Sequence, residues 1–209
     1  PSTSSAASDV YKRQVYDVVI VGAGPAGLGC AAALKECGIE NLAIVDRREV
    51  GASFDAWPAQ MRMISPSFHS NPFSQPDLNA ITPHTSPADY VHSEHPTGPE
   101  YAHYLRAIAE YYQVEVKTGI EITGVKQSKG ALVVEGASKP LRARHVIWTG
   151  GEFFFPRQEI KGVEHCIHNS SISDWSKLEG VEHAIIGGFE SGIDAAVHLA
   201  RQGKSVHVL

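Results

Sequence analysis

The apolar positions at the start of the chain predict a strand, a helix and a second strand. Residues 15–21 (VYDVVIV) form an almost continuous apolar run, as in a strand buried on both faces of a parallel sheet. An alanine-rich helical segment follows over about residues 25–36, and Gly38 is its predicted C-cap. Residues 42–46 (LAIVD) are a second short strand. This order predicts one right-handed βαβ unit.

The middle of the chain consists of a long segment without a periodic apolar pattern, followed by a predicted helix and four predicted strands. Residues 51–97 are rich in Pro, Ser, Asn and His and show no sustained period, and loops of that length in compact domains are usually functional. Residues 100–112 predict an amphipathic helix. Short strands are predicted at residues 114–117, 121–126, 131–134 and 143–148. The apolar face of the helix carries Tyr101, Tyr104, Leu105, Ile108 and Tyr112.

The opening pattern returns near the end of the chain. A strand at residues 183–186, a glycine turn at 187–192 and a helix at 193–201 are followed by Gly203 as a cap and by a strand over 205–209. The pattern therefore predicts an α/β fold with two βαβ openings, the second of them cut short. Because a natural domain is not expected to end inside its second strand, Leu209 is expected to be a truncation point.

Composition and charge narrow the class of protein. Apolar residues make up 43% and charged residues 20% of the 209 positions, which fits a globular chain and excludes a disordered or coiled-coil one. The 18 Lys and Arg against 23 Asp and Glu leave a net charge of -5, which argues against nucleic acid as a partner. Three scattered cysteines are too few for a disulfide framework, so a reducing, cytoplasmic location is expected.

The first glycine turn has the pattern of a phosphate-binding loop. Gly22, Gly24 and Gly27 form a complete G-x-G-x-x-G set between a predicted strand and a predicted helix. In this motif the first glycine allows the tight turn, the second lets the backbone approach a pyrophosphate, and the third lets the helix pack closely on the strand. Asp46 follows at the end of the second strand, where its carboxylate can accept hydrogen bonds from an adenosine ribose. Together these features predict a dinucleotide-binding unit.

The second glycine turn is incomplete. Gly187 and Gly192 keep the first and last glycines of the motif, and Gly188 lies between the first and second glycine positions. Phe189 stands at the position of the second glycine. A side chain there leaves less room for a pyrophosphate, so the alternatives are a nucleotide site and a purely structural turn. The residue that would select NADH or NADPH is expected at about position 211, beyond the last residue.

The ordered set of motifs resembles a known group of flavoproteins. The set comprises the first glycine turn, the segments 51–54, 57–58 and 61–68, the run 148–150 and the segment 187–196. Over nearly all of residues 15–209 the chain is similar to the flavin-containing monooxygenase-like flavoproteins with two dinucleotide-binding domains. More narrowly, it is similar to bacterial FAD/NAD(P)-binding oxidoreductases of the potassium-transport flavoprotein group.

The resemblance implies how the chain is divided. A Rossmann-like FAD-binding domain with inserted β strands is expected over residues 15–150, a connector over 151–180, and the start of a Rossmann-like NAD(P)-binding domain over 181–209. It also implies that the segment closing the FAD-binding domain is missing.

The resemblance also assigns both cofactors to residues. FAD is expected at the first glycine turn and at the loop around Trp57, which lies near the flavin ring in that group, and NADPH or NADH at the second turn. The implied FAD-binding residues are Gly22, Gly24, Pro25, Ala26, Gly27, Asp46, Arg47, Ser53, Trp57, Arg62, Thr149 and Gly150. The implied NAD(P)H-binding residues are Gly187, Gly188, Glu190, Ser191 and Gly192.

The first residues of the chain are interpreted as foreign to the fold. Residues 4–14 (SSAASDVYKRQ) match the translation of a sequencing-adapter DNA, so residues 1–14 are excluded from the fold. The exclusion removes the basic residues that, with the apolar run after them, imitate a signal peptide. Glycines interrupt that run, as in a turn, and no membrane span is expected.

Departures from the group's patterns bear on the reaction. The monooxygenase signature Phe-x-Gly-x-x-x-His has Ile160 and Cys166 at its key positions if Gly162 is its glycine. A dithiol is also missing, because Asn169 stands three residues after Cys166. Ala26 stands where bacillithiol disulfide reductases carry a thiol. These departures weaken the hypothesis of a monooxygenase and argue against a disulfide reductase. No catalytic residue is assigned.

Two functions fit the sequence. The first is an FAD-dependent oxidoreductase that passes hydride from NAD(P)H to the flavin and then electrons to an unknown small-molecule substrate or acceptor, O2 in the case of monooxygenation. The alternative is a non-enzymatic redox sensor or transport regulator, which the substitution at Phe189 favours. A metal site is not expected, since His92 and His95 lie in a polar loop without a helical metal-binding motif. The oligomeric state is left open.

Overall fold

The computed structural model describes residues 15–69, 77–128, 130–136, 139–151 and 160–209. The segment interpreted as adapter-derived, 1–14, lies outside the described residues, as do positions 152–159 of the predicted connector. The chain forms two compact units. The first unit is Pro1–Val50 with Leu105–Phe154, and the second unit is Gly51–Tyr104 with Phe155–Leu209.

A six-stranded sheet forms the first unit. Its strands are β1 (Val15–Val21), β2 (Leu42–Val45), β3 (Val116–Lys117), β4 (Ile122–Ser128), β5 (Ala131–Gly136) and β6 (Leu141–Trp148). They lie in the order β3-β2-β1-β6-β5-β4. The strands β6, β1, β2 and β3 are mutually parallel, and β5 and β4 continue the sheet in antiparallel pairing. The predicted parallel α/β sheet with inserted strands is therefore confirmed.

The predicted βαβ unit stands at the centre of this sheet. The strand β1 pairs with a parallel neighbour on each side, which explains why its sequence is apolar almost throughout. The first helix, α1 (Pro25–Glu36), has the predicted bounds and buries Leu28, Ala31 and Ala32. It ends as predicted, because Gly38 takes the left-handed backbone conformation (φ 79°) that glycine adopts at no steric cost.

Local hydrogen bonds move several boundaries from their predicted places. The long helix, α4 (Gly98–Tyr111), begins two residues before the predicted start, because Thr97 and Glu100 form a capping box at its N-terminus. The backbone N–H of Thr97 donates to the Glu100 carboxylate at 2.7 Å and lowers the pKa of Glu100. The strand β3 is shorter than predicted, since β2 offers only Ile44 and Val45 for pairing with it.

The second unit holds the second glycine turn and the long segment before α4. Short helices α2 (Ala52–Asp55) and α3 (Pro87–Val91) lie in the segment that the sequence predicted as an irregular loop. Three single-turn 3-10 helices, Val163–His165, Asn169–Ser171 and Trp175–Lys177, precede a parallel strand pair, β7 (Glu182–Ile185) and β8 (Ser205–Val208). The helix α5 (Glu190–Arg201) begins three residues before the predicted start, so the last three residues of the predicted turn are helical.

A buried polar network orders the chain before α4. Asp77 accepts hydrogen bonds from the hydroxyl of Ser86 at 2.6 Å and from the backbone N–H of Asn79 at 2.8 Å. The Asn79 side chain in turn donates to the Ser67 hydroxyl at 2.9 Å. These side chains are buried, and their mutual hydrogen bonds offset the cost of removing them from water.

Two buried tyrosines on α4 hold this network from the helix side. The hydroxyl of Tyr101 donates to the backbone oxygen of Asn79 at 2.8 Å, and the hydroxyl of Tyr104 accepts from the backbone N–H of Ile81 at 2.8 Å. Burial raises the pKa of Tyr104. The predicted apolar face is therefore confirmed for these two residues, whereas Tyr112 follows the helix end and is only half-buried.

We expect Tyr104→Phe to destabilise the protein by about 1–3 kcal/mol, because it leaves the N–H of Ile81 without its acceptor in a buried site. The matched control is Tyr111→Phe on the same helix, where the side chain is 72% exposed. Urea denaturation followed by circular dichroism measures both. Equal midpoints for the two variants would contradict the anchoring role of Tyr104.

Candidate functional site

The first glycine turn joins β1 to α1 through two very close backbone approaches. A Cβ atom on residue 22 would lie 2.2 Å from the backbone oxygen of Thr149, and Gly22 has a φ of +115° that side chains rarely allow. A Cβ atom on residue 27 would lie 1.9 Å from the backbone oxygen of Gly22. Both positions therefore require glycine for the fold itself.

Gly24 differs from its two partners. Its backbone is extended (φ -88°, ψ -172°), which any residue can adopt, and among the described residues nothing outside its own stretch of chain lies within 4 Å of the position its Cβ would take. It is also the N-cap of α1, with Pro25 at the first helical position. The free N–H groups of a helix start and the positive end of its dipole make this open place suitable for an anion.

Asp46 follows β2 beside the same turn. Its carboxylate accepts from the backbone N–H of Ala23 at 2.7 Å and from that of Arg48 at 2.8 Å. A carboxylate offers about four lone-pair sites, so two such bonds leave room for ribose hydroxyls. Arg47, the next residue, pairs with Glu121 at 3.6 Å on the surface.

The turn after β6 completes this end of the sheet. The backbone N–H and the hydroxyl of Thr149 both donate to the backbone oxygen of Val21 at 2.8 Å. Gly150 lies against the indole of Trp148. A Cβ atom on residue 150 would be 3.0 Å from Nε1 of Trp148. The first unit therefore brings together the residues of its glycine turn, Asp46 and the Thr149–Gly150 turn.

The second glycine turn repeats the geometry of the first. Gly187 has a φ of +104°, and a Cβ atom on residue 192 would lie 2.1 Å from the Gly187 backbone oxygen. Phe189 is the N-cap of α5, with an extended backbone (φ -111°, ψ 163°) like that of Gly24. Its side chain is 80% exposed. At the N-cap position the two turns thus differ by a phenyl ring, where Gly24 has no side chain.

A pocket of about 230 Å³ lies within the second unit. It brings together Trp57 and Arg62, which the resemblance places near a flavin, with Glu190 and Ser191, which it places near a nicotinamide nucleotide. Ser53 is exposed on α2 and is not among the residues that line this pocket.

Sequence reasoning missed several residues that line this pocket. Phe54 packs against Trp57 with ring centroids 4.9 Å apart and ring planes tilted by 49°, and Asp194 lies one turn of α5 beyond Glu190. The four-residue spacing that brings Asp194 to the side of Glu190 follows only from the observed start of α5 at Glu190, because the predicted helix began at residue 193. The other missed lining residues are Met61, Met63, Ile64 and Ser65.

Cys166 and Asn169 lie in the connector of the second unit. Cys166 is exposed, and the side chain of Asn169 accepts a hydrogen bond from the indole N–H of Trp175 at 2.8 Å. In the described part of the chain, no group of three or more His, Cys, Asp or Glu side chains is placed to hold a metal ion. The same residues contain no helix long and apolar enough to cross a membrane.

Known proteins share this fold. The chain is 21% identical over 196 residues to the uncharacterized oxidoreductase CzcO of Bacillus velezensis, covering 90% of this chain and 53% of that protein. It matches the bacillithiol disulfide reductase Bdr of Staphylococcus aureus with a TM-score of 0.72 at 22% identity, covering 94% of this chain and 57% of the other. It matches a flavin-containing monooxygenase of Stenotrophomonas maltophilia with a TM-score of 0.73 at 22% identity, covering 94% and 58%.

The chain thus spans just over half the length of these three relatives. The family model described as pyridine nucleotide-disulphide oxidoreductase matches residues 19–209, which is most of the chain. The resemblance to FAD/NAD(P)-binding oxidoreductases is confirmed at this level. The chain belongs to the pyridine nucleotide-disulphide oxidoreductase family.

Proposed function

We propose that this protein is an FAD-dependent oxidoreductase that takes hydride from NADPH or NADH and passes electrons to a small-molecule acceptor. The observation that carries the proposal is the open space at Gly24. The fold explains the glycines at 22 and 27 by clashes of 1.9–2.2 Å, but it gives no such reason for a glycine at 24. A bound pyrophosphate supplies the reason, because it occupies the place of a side chain.

The residues of the first unit fit the parts of FAD. The start of α1 would hold the pyrophosphate through its free N–H groups, and Asp46 would accept hydrogen bonds from the adenosine ribose. Its existing bond to the N–H of Ala23 fixes the carboxylate against the turn. FAD, when bound, supplies the hydride and electron chemistry, and the protein binds and orients it.

The second unit carries the residues proposed for the nicotinamide nucleotide. The turn at Gly187–Gly192 would approach the pyrophosphate, and the pocket beside Glu190 and Ser191 would hold the reactive end of the nucleotide. Its other wall, with Trp57 and Arg62, supplies an aromatic surface and one guanidinium. These groups can exclude water and neutralise negative charge.

The molecule that accepts electrons from the flavin is not identified by the fold. The solved structures with this fold include both a disulfide reductase and a monooxygenase, and at 22% identity they show the fold alone. The missing dithiol partner at Asn169 argues against disulfide reduction. We therefore propose a small electron acceptor, with O2 in a monooxygenation as one case.

A second candidate is a redox sensor without turnover, and the exposed ring of Phe189 favours it. A phenyl group at the N-cap position of α5 lies where a pyrophosphate would have to approach the backbone. A sensor would bind nucleotide and report its redox state without rapid oxidation of NAD(P)H. Turnover therefore separates the two candidates.

We expect Gly24→Ala to weaken FAD binding at least about tenfold, a loss of about 1.4 kcal/mol, because the new methyl group occupies the phosphate position. The extended backbone at 24 tolerates alanine, so folding is expected to survive. Fluorescence titration of the purified protein with FAD measures the affinity. The matched control is Gly124→Ala in β4, where a Cβ meets only the Glu135 carboxylate at 3.7 Å. Equal FAD affinity in both variants would contradict the proposed site.

Anaerobic mixing of the FAD-loaded protein with NADPH or NADH is expected to bleach the flavin absorbance within seconds, as hydride transfer requires. Oxygen is then admitted while the spectrum is recorded. A transient distinct from reduced and oxidised flavin indicates a monooxygenase, and direct return to the oxidised spectrum indicates a reductase or oxidase. A flavin that stays oxidised under both nucleotides would refute the enzyme and favour the sensor.

We expect Phe189→Gly to tighten NADPH or NADH binding by about tenfold, because it restores the glycine that lets the backbone approach a pyrophosphate. Glycine is also tolerated at an N-cap. The measurement is a titration followed by nicotinamide fluorescence. Weaker binding in the variant would show instead that the phenyl ring itself contacts the nucleotide.

A further inference from the structure

Gln60 connects two segments of the second unit that are far apart in sequence. Its side-chain amide donates to Asp174 Oδ1 at 2.5 Å, and its side-chain oxygen accepts from the backbone N–H of Trp175 at 3.1 Å. A backbone bond from Ala59 N–H to the Ser173 oxygen, at 2.9 Å, runs beside them. Gln60, Asp174 and Trp175 are called the Gln60 clamp below.

The far side of the clamp is firmly held. Trp175 is 1% exposed, its indole N–H donates to Asn169, and its ring lies 6.1 Å from that of His198 on α5, centroid to centroid. Ser176 donates to Asp174 Oδ1 from both its hydroxyl, at 2.5 Å, and its backbone N–H, at 2.9 Å. These bonds, with that of Gln60, hold the pKa of Asp174 well below its usual range.

The near side of the clamp is the pocket wall. Met61 and Arg62, the two residues after Gln60, line the pocket described above, and so do Glu190 and Ser191 at the start of α5. The clamp therefore joins the segment that carries one wall to the Trp175 ring, which packs on the helix that carries the other.

We propose that Gln60 is a positioning residue, which through Asp174 and Trp175 sets the distance between the two walls of this pocket and so the alignment needed for hydride transfer. The inference rests on the proposed function. Hydride transfer is steeply sensitive to geometry, and a misplacement of about 1 Å costs about a hundredfold in rate. A residue outside the pocket can therefore control the rate without contacting any cofactor.

Four variants separate the clamp from its surroundings. Gln60→Ala removes both of its bonds, and Asp174→Ala removes the acceptor of Gln60 and Ser176. Asp174→Asn is the conservative rescue, because its amide oxygen can still accept at the Oδ1 position. Lys177→Gln is the control, since Lys177 is an exposed partner of Asp174 at 3.6 Å, and such surface pairs contribute little.

The kinetic measurement uses the FAD-loaded protein with NADPH and NADH. In Gln60→Ala and Asp174→Ala, the rate of flavin reduction at saturating nucleotide is expected to fall about tenfold or more, with the Kd of the nucleotide and the FAD content nearly unchanged. Asp174→Asn and Lys177→Gln are expected to react like wild type. A loss of FAD or of nucleotide affinity in place of the rate loss would overturn the positioning role.

Hydrogen exchange measured by mass spectrometry tests the clamp without any turnover. Gln60→Ala is expected to speed exchange at Ala59 and Trp175 while β1 keeps its protection, because only the bonds of the clamp are lost. Unchanged exchange at both amides would overturn the clamp. If wild-type protein binds NAD(P)H but never reduces flavin, the proposed function fails, and the exchange result alone then decides whether the clamp exists.

Discussion

The structure of the first unit depends on the close approach of α1 to the carboxyl ends of β1 and β6. With clashes of 1.9 Å at residue 27 and 2.2 Å at residue 22 for any Cβ atom, only glycine lets the helix start at this place. Once it starts there, its free N–H groups and its dipole are directed at the open side of Gly24. The packing that closes the sheet against its helix therefore also produces the place proposed for the pyrophosphate, so the fold and the proposed cofactor site share one cause.

The glycine turn of the second unit repeats part of this packing and has a different residue at the N-cap of its helix. A Cβ atom on residue 192 would lie 2.1 Å from the Gly187 backbone oxygen, as one on residue 27 would lie 1.9 Å from that of Gly22. Both N-cap residues are extended, but among the described residues Gly187 has no counterpart to the close Thr149 oxygen of Gly22. The N-cap position is not restricted by that packing, which is why it can be glycine in one turn and phenylalanine in the other. Packing thus leaves the identity of this residue open to selection by a ligand, and this is why the proposed function depends on the comparison of Gly24 with Phe189.

The sequence pattern predicted the bounds of those strands and helices that are determined by residues close together in the chain. The apolar run of β1 and the Pro25 and Gly38 ends of α1 gave the observed bounds of both elements. The start of α4 was misplaced although the Thr97–Glu100 capping box stood in the sequence, because the apolar period was followed instead. Contacts between residues far apart in the sequence could not be predicted in this way, because no periodic pattern relates such residues. The bond from Gln60 to Asp174 spans 114 positions with no periodic relation, and the buried Asp77 network begins in a segment without any period.

Asn169 shows how a structural demand limits the chemistry of this chain. A C-x-x-C dithiol that begins at Cys166 would need its second thiol at position 169, but the amide there accepts the buried indole N–H of Trp175. A thiol is a weak acceptor, so a cysteine at 169 would leave that N–H poorly satisfied in a residue that is 1% exposed. Trp175 in turn supports both Gln60 and the His198 face of α5. The position that a C-x-x-C dithiol would use is thus occupied by the hydrogen-bond partner of Trp175, which supports the proposed small-molecule acceptor over disulfide reduction through Cys166.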